Sequence, residues 1–362
     1  MKLFFSIAKF FSVFRFHFMV LSYIIFVLLY FRIYAENNPF PNDQSSRIDE
    51  WDRLPPTILI CVLARNKAHT LPYFLGSLED LDYPKDRISL FIRTDHNIDD
   101  TRAILDRWVD AVGEFYHKID YKIDQEILEG GYKNERGPFD WSPPERHNHV
   151  IKLKQEALQA AKNQWADYII YIDCDVFFTK KRVLQALIST RQSVVSPFLT
   201  GPTNEDFSFA NFEIKEENPD SSSKFDFIFQ REQPDIYRVD KVKSCVLIDL
   251  LTLKSRQISF ESSKNNNSAA DDDLLFESLE SLNLHYFLDN RLRYGWILPP
   301  MRQNLADLKF DEENLRFLLT ENLNDGPRDA LLYSPFVEPI LPPKTKFGFD
   351  EIFLINLKRR PD

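Results

Sequence analysis

Trp165-Ala166-Asp167-Tyr168-Ile169-Ile170-Tyr171-Ile172-Asp173-Cys174-Asp175-Val176-Phe177-Phe178 is the stretch from which the fold can be read. Its run Tyr168 to Ile172 is short, apolar and rich in β-branched and aromatic residues, which predicts a buried strand of an α/β sheet. Two carboxylates follow, Asp173 and Asp175, with one residue between them. Ligands of such sheets sit outside the carboxyl ends of the strands. Residues i and i+2 of an extended segment share a face, so both aspartates can offer hard oxygen ligands to one magnesium or manganese ion that keeps positions open for a diphosphate. A strand-end turn that happens to hold two aspartates has the same spelling, so the elements around it must decide.

Upstream, the order of those elements is regular. Thr57 to Ala64 reads as a buried strand, and Leu71, Phe74, Leu75, Leu78 and Leu81 mark the apolar face of a helix. Ile88 to Thr94 is a second strand ending in Asp95-His96-Asn97, and Ala103, Ile104, Trp108, Val109 and Val112 trace an amphipathic helix. Phe115 to Ile119 is read as a third strand. Glu145 to Lys162 is helical and feeds the strand before Asp173. Alternating strands and helices imply a mostly parallel sheet joined by crossovers, an α/β, Rossmann-like nucleotide-binding architecture.

The 362 residues carry a net charge of -10, which argues against a nucleic-acid binder resting on phosphate contacts. Three cysteines, Cys61, Cys174 and Cys245, match neither a zinc pattern nor a disulfide framework, although one pair can still be bridged. Basic residues precede the apolar run Phe18 to Phe31, so residues 1–35 read as a signal peptide or a signal anchor, the only route to a membrane if uncleaved. Residues 36–55 are a polar, proline-containing stem. A sequon, Asn266-Asn267-Ser268, falls in a polar loop. These features place the bulk of the chain in the secretory pathway.

No Gly-x-Gly-x-x-Gly follows the first strand and no P-loop pattern occurs, and nine glycines leave little for a glycine-rich phosphate cradle. A cation at Asp173 and Asp175 would then carry the phosphate charge, the arrangement of a GT-A-like nucleotide-sugar transferase.

The ordered motifs Ala64-Arg65-Asn66, Thr94-Asp95-His96-Asn97-Ile98-Asp99, Trp141-Ser142, His149-Val150-Ile151-Lys152-Leu153, Trp165-Ala166-Asp167-Tyr168-Ile169 and Asp173-Cys174-Asp175 resemble the N-terminal domain of the procollagen galactosyltransferases. Leu247-Ile248-Asp249-Leu250, Asp272-Asp273, Tyr294-Gly295 and Gly348 to Leu357 continue the match in order. The resemblance implies a GT-A-like domain over residues 56–345 and the beginning of a second glycosyltransferase domain at 346–362. It also implies transfer of galactose from UDP-galactose to hydroxylysine of collagen or procollagen, with Mn2+ or Mg2+ and inversion at the sugar carbon, in the endoplasmic reticulum or Golgi lumen. Two positions depart from the family pattern: Lys243 stands where a histidine is usual, and Glu213 where an aromatic residue is usual. A lumenal, non-catalytic collagen-binding or adhesion-like member is the alternative.

The candidate site follows. Asp173 and Asp175 are the expected metal ligands. Arg65 and Asn66 end the first strand and can meet the nucleotide, or Arg65 forms a surface salt bridge. Asp95 can accept from uracil or ribose, or serve as a turn residue. Trp141 can stack on sugar, whereas Trp165 is read as core. Asp272 or Asp273 is the candidate base for the acceptor hydroxyl, unless the acidic run only complements a helix N-terminus. Cys174 and the histidines His96, His147 and His149 are read as structural.

Overall fold

Ile58–Ala64 (β1) is apolar from end to end because it is an interior strand, paired with β-strands along both edges and buried on both faces of the sheet. The computed structural model describes residues 54–97, 99–123, 132, 135, 142–201, 209–215, 220–261, 271–298 and 333–337. The chain divides into residues 1–55 and 56–362, and every element below belongs to the second unit. Residues 1–35, nearly all of the stem, the sequon and residues 346–362 lie outside the described residues. Among the described residues no helix is long and apolar enough to cross a membrane.

After β1, Leu71–Glu79 (α1) starts with Pro72 in its first turn, where a missing N–H costs nothing. Ile88–Thr94 (β2), Thr101–Val112 (α2), Lys118–Ile123 (β3), Pro144–Asn163 (α3) and Tyr168–Ile172 (β4) follow. Helix α2 buries Ile104, Leu105, Trp108 and Val112, one stripe at helical spacing. Val176–Phe178 (β5), Val183–Ser189 (α4), Val194–Pro197 (β6), Leu199–Thr200 (β7) and Phe212–Glu213 (β8) come next. Asp220–Phe229 (α5), Ile236–Val239 (β9), Lys241–Val242 (β10), Cys245–Asp249 (β11), Asp271–Ser281 (α6), Tyr286–Asp289 (β12) and Gly295–Ile297 (β13) complete the set.

The main sheet runs β3-β2-β1-β4-β11-β6-β12-β9. Four of its seven pairings are parallel, and the strand that interrupts them is β11, antiparallel to both β4 and β6. The chain lays β2 and β3 to one side of β1 and then returns to place β4 on the other. The crevice at the carboxyl ends of β1 and β4 is therefore a topological switch point, where α/β sheets bind ligands. Two small sheets, β5-β13-β7 and β8-β10, extend from this region.

Three expectations need correction. The third strand begins at Lys118, not Phe115, because Phe115 is 60% exposed in the turn after α2 and the edge strand itself is half polar. No cysteine pair is bridged: Cys61, Cys174 and Cys245 are free and buried, and burial pushes the Cys61 thiol up to about 12. Trp165 is not core. It takes the left-handed position (φ 55°) that closes α3, with the Ala166 N–H donating to the Ala161 carbonyl at 3.0 Å, and its ring lies 76% exposed under Arg256.

Candidate active site

Strand β4 stops at Ile172, so Asp173-Cys174-Asp175 is a turn into β5 rather than an extended segment. Three backbone or sulfur contacts fix it. The Asp173 N–H donates to the Ser244 carbonyl (2.8 Å), the Leu298 N–H to the Asp175 carbonyl (3.1 Å), and the Cys174 thiol to the Leu63 carbonyl (3.6 Å). Cys174 is thereby buried beneath β1, as expected of a packing residue, while Asp173 is exposed and Asp175 half-buried. Ser244, at φ 63°, bends the chain so that β11 can leave antiparallel beside β4.

The end of β1 faces this turn. Asn66 takes φ 53°, and its N–H donates to the Asn97 side chain (2.9 Å) in the loop after β2. Asn tolerates this left-handed backbone better than most residues. The next residue, Lys67, sends its Nζ to both carboxylate oxygens of Asp175, at 2.6 and 2.5 Å, while its N–H donates to Thr101 Oγ1 (2.6 Å). Sequence reasoning misses Lys67, because it lies 108 residues from its partner.

The end of β2 carries a polar and aromatic cluster. Asp95 is buried; its Oδ2 accepts from the Tyr132 hydroxyl (2.9 Å) and lies 2.5 Å from His96 Nδ1. His149 Nε2 lies 3.8 Å from the other oxygen. The His96 and Tyr132 rings stack at 4.0 Å, and Arg65 lies over Tyr132 at 5.0 Å. Burial and the Asp95 charge push the Tyr132 phenol upward, so it stays a donor. Arg65 forms a two-pronged pair with Glu135 (2.6 and 2.7 Å) that is buried, not the surface bridge envisaged. Arg146 approaches the same carboxylate at 3.6 Å, and burial followed by the nearby Arg65 lowers its pKa to about 10. Tyr132, Glu135 and Arg146 leave no periodic signal in the sequence.

The candidate base Asp273 sits on the first turn of α6, exposed, and pairs with Lys241 Nζ on β10 (2.7 Å). Strand β10 leads through Lys243 to Ser244, the residue that holds Asp173. Lys243, just past β10, in turn pairs with Glu213 of β8, the register partner of Lys241. The two departures from the family pattern are thus a single ion pair. The side chain of Asp272, and Trp141 altogether, lie outside the described residues.

Which cation could sit at the turn follows from the donors. Among the described residues no cluster of three or more His, Cys, Asp or Glu side chains forms, and Asp173 and Asp175 are the two carboxylates of this turn that could hold a cation. Two carboxylates suit a hard ion that takes its remaining ligands from a diphosphate and water.

The doubly wound sheet with an acidic turn at its switch point defines a GT-A-like nucleotide-sugar-binding fold. Comparison with known proteins then gives the family: residues 55–318 match "Glycosyltransferase family 25, N-terminal domain". The chain belongs to glycosyltransferase family 25. It is 36% identical over 316 residues to procollagen galactosyltransferase 2 of Mus musculus, covering 85% of this chain and 48% of that protein. It is 34% identical over 315 residues to the inactive glycosyltransferase 25 family member 3 of the same species, covering 84% and 51%. The chain spans about half the length of the curated relatives it matches. Among solved structures, S. aureus TarS 1-349 in complex with UDP-GlcNAc aligns at TM-score 0.41 and 16% identity, over 74% of this chain and 67% of that one.

Proposed function

We propose that residues 56–345 form a donor-binding glycosyltransferase domain that transfers galactose from UDP-galactose to hydroxylysine of collagen or procollagen. The observation that supports this reading is the Asp173/Asp175 turn at the switch point of the sheet, joined to the end of β1 by the Lys67–Asp175 pair. The names of the relatives supply the galactosyl donor and the collagen acceptor. Asp173 and Asp175 would hold Mn2+ or Mg2+, which when bound offsets the charge of the departing nucleoside diphosphate. Asp95, locked by Tyr132 and His96, frames the base side of the pocket, and Asn66 shapes its floor. Asp272 or Asp273 takes the proton of the hydroxylysine oxygen as that oxygen attacks the sugar carbon and the bond to phosphate breaks. The work takes place in the secretory lumen, with residues 1–35 as the leader or anchor and 346–362 as the start of a second domain.

The test is galactose transfer to a hydroxylysine peptide, measured with calorimetric titration of UDP-galactose in the presence of Mn2+. Asp173→Ala and Asp175→Ala are expected to lower turnover by at least about 100-fold, the scale on which removed electrostatic stabilisation shows. Unchanged donor binding and turnover in the double variant would overturn the reading.

A second reading is a non-catalytic collagen-binding member, supported by the relative named inactive and by the Lys243–Glu213 pair. Collagen-peptide binding that survives loss of both aspartates, with no donor turnover in the unaltered chain, selects it.

A further inference from the structure

Asp175 already carries a cation. The Lys67 ammonium lies 2.6 and 2.5 Å from its two oxygens, so it spans the carboxylate face that a metal ion would need. Both side chains are largely shielded, with 19% and 25% of their surfaces exposed, so the attraction is weakened less by water than that of a surface pair. The lysine is also well placed to stay. Its N–H is tied to Thr101 at the start of α2, and the following Ala68 N–H donates to Asp99 at 3.0 Å, so the root of the side chain is fixed while its four-carbon stem can turn.

We infer that Lys67 is an internal competitor for the Asp175 carboxylate, a positioning residue that sets how readily this site takes a divalent ion. The inference rests on the reading of Asp173 and Asp175 as cation ligands. A carboxylate face engaged by an ammonium cannot also coordinate a metal at close range, and two cations crowded onto one aspartate repel. A metal therefore binds only with displacement of the ammonium. The displaced ammonium stays tethered at the carboxyl end of β1, where the diphosphate of a bound nucleotide would be an anion for it to meet. Metal and nucleotide binding are coupled by this exchange, each favouring the other.

The test is the affinity of the whole chain for Mn2+ without nucleotide, read from the electron paramagnetic resonance of the free ion. Lys67→Met retains the apolar stem and removes the charge; Lys67→Gln is a second neutral variant should the first fold poorly. Both are expected to bind Mn2+ about tenfold more tightly than the unaltered chain, the loss of one charge-assisted contact. Asp175→Ala is expected to abolish binding in either background. Equal or weaker Mn2+ affinity in both lysine variants, with binding still dependent on Asp175, would overturn the competition and leave the metal reading standing. Mn2+ binding absent from every chain, or indifferent to Asp175, would remove both.

Discussion

Glu135 shows how one residue can govern a site without touching its chemistry. Its carboxylate is shared by two guanidiniums, Arg65 and Arg146, and all three side chains are less than 10% exposed. Removing one member of a buried ionic group leaves charges without a partner, which costs far more than the group itself contributes. Glu135→Gln should destabilise the chain by about 3 kcal/mol, seen as a lower urea midpoint at unchanged slope. A midpoint equal to that of the unaltered chain would mean that the two guanidiniums do not depend on this carboxylate. The exposed pair Lys243–Glu213 behaves differently. With side chains 39% and 49% exposed it contributes less than about 1 kcal/mol, so its interest lies in its place rather than its strength. It puts a paired ammonium next to Ser244 in a chain whose Asp173 is held by that residue.

Among the elements, β13 supports the acidic turn most directly. Gly295 has no room for a side chain, because a Cβ there would run into the Phe177 carbonyl of β5. Immediately after this strand comes Leu298, whose N–H holds the Asp175 carbonyl. Gly295→Ala is therefore expected to cost about 2 kcal/mol through overpacking and to weaken UDP binding in Mn2+ as well. Thermal unfolding with a UDP titration checks both, and loss of stability without loss of affinity would uncouple the strand from the turn. Strands β1, β2 and β4 are legible in the sequence because burial on both faces demands unbroken apolar runs. The edge strand β3 is harder to place, since half-exposed strands carry charges and its flanking Phe115 supplies a false apolar signal. Leu247 to Asp249 is visible only as a motif, and nothing local marks it as the antiparallel strand between β4 and β6. The candidate positions Asp173, Asp175, Arg65, Asn66 and Asp95 are legible as strand-end residues, because the buried strands before them are. Lys67, Tyr132, Glu135 and Arg146 are not, since their contacts join residues from 11 to 108 positions apart with no periodic signal.

At the scale of the whole molecule, Glu79 ties three distant segments together. Its Oε1 accepts from Trp108 Nε1 of α2 (2.6 Å) and from the Ser334 hydroxyl (2.5 Å), 255 residues along the chain. The Ser334 N–H also donates to the Pro72 carbonyl (2.8 Å), and Val337 is buried, so this late segment docks on α1. Burial outweighs these hydrogen bonds and the nearby Lys85, and raises the Glu79 pKa above its ordinary value near 4.5. A raised carboxylate pKa means that the folded chain holds a proton the unfolded chain has lost, so stability falls as pH rises through that window. Glu79→Gln keeps an oxygen acceptor for both donors and removes the penalised charge. Its unfolding temperature should match that of the unaltered chain at about pH 4, below the ordinary value, and exceed it at about pH 7.5. Scanning calorimetry at the two pH values separates this from a simple packing effect, which would shift both equally. A lower unfolding temperature at the higher pH would mean instead that the ionised carboxylate is the better acceptor, and that the three-way tie holds through its charge.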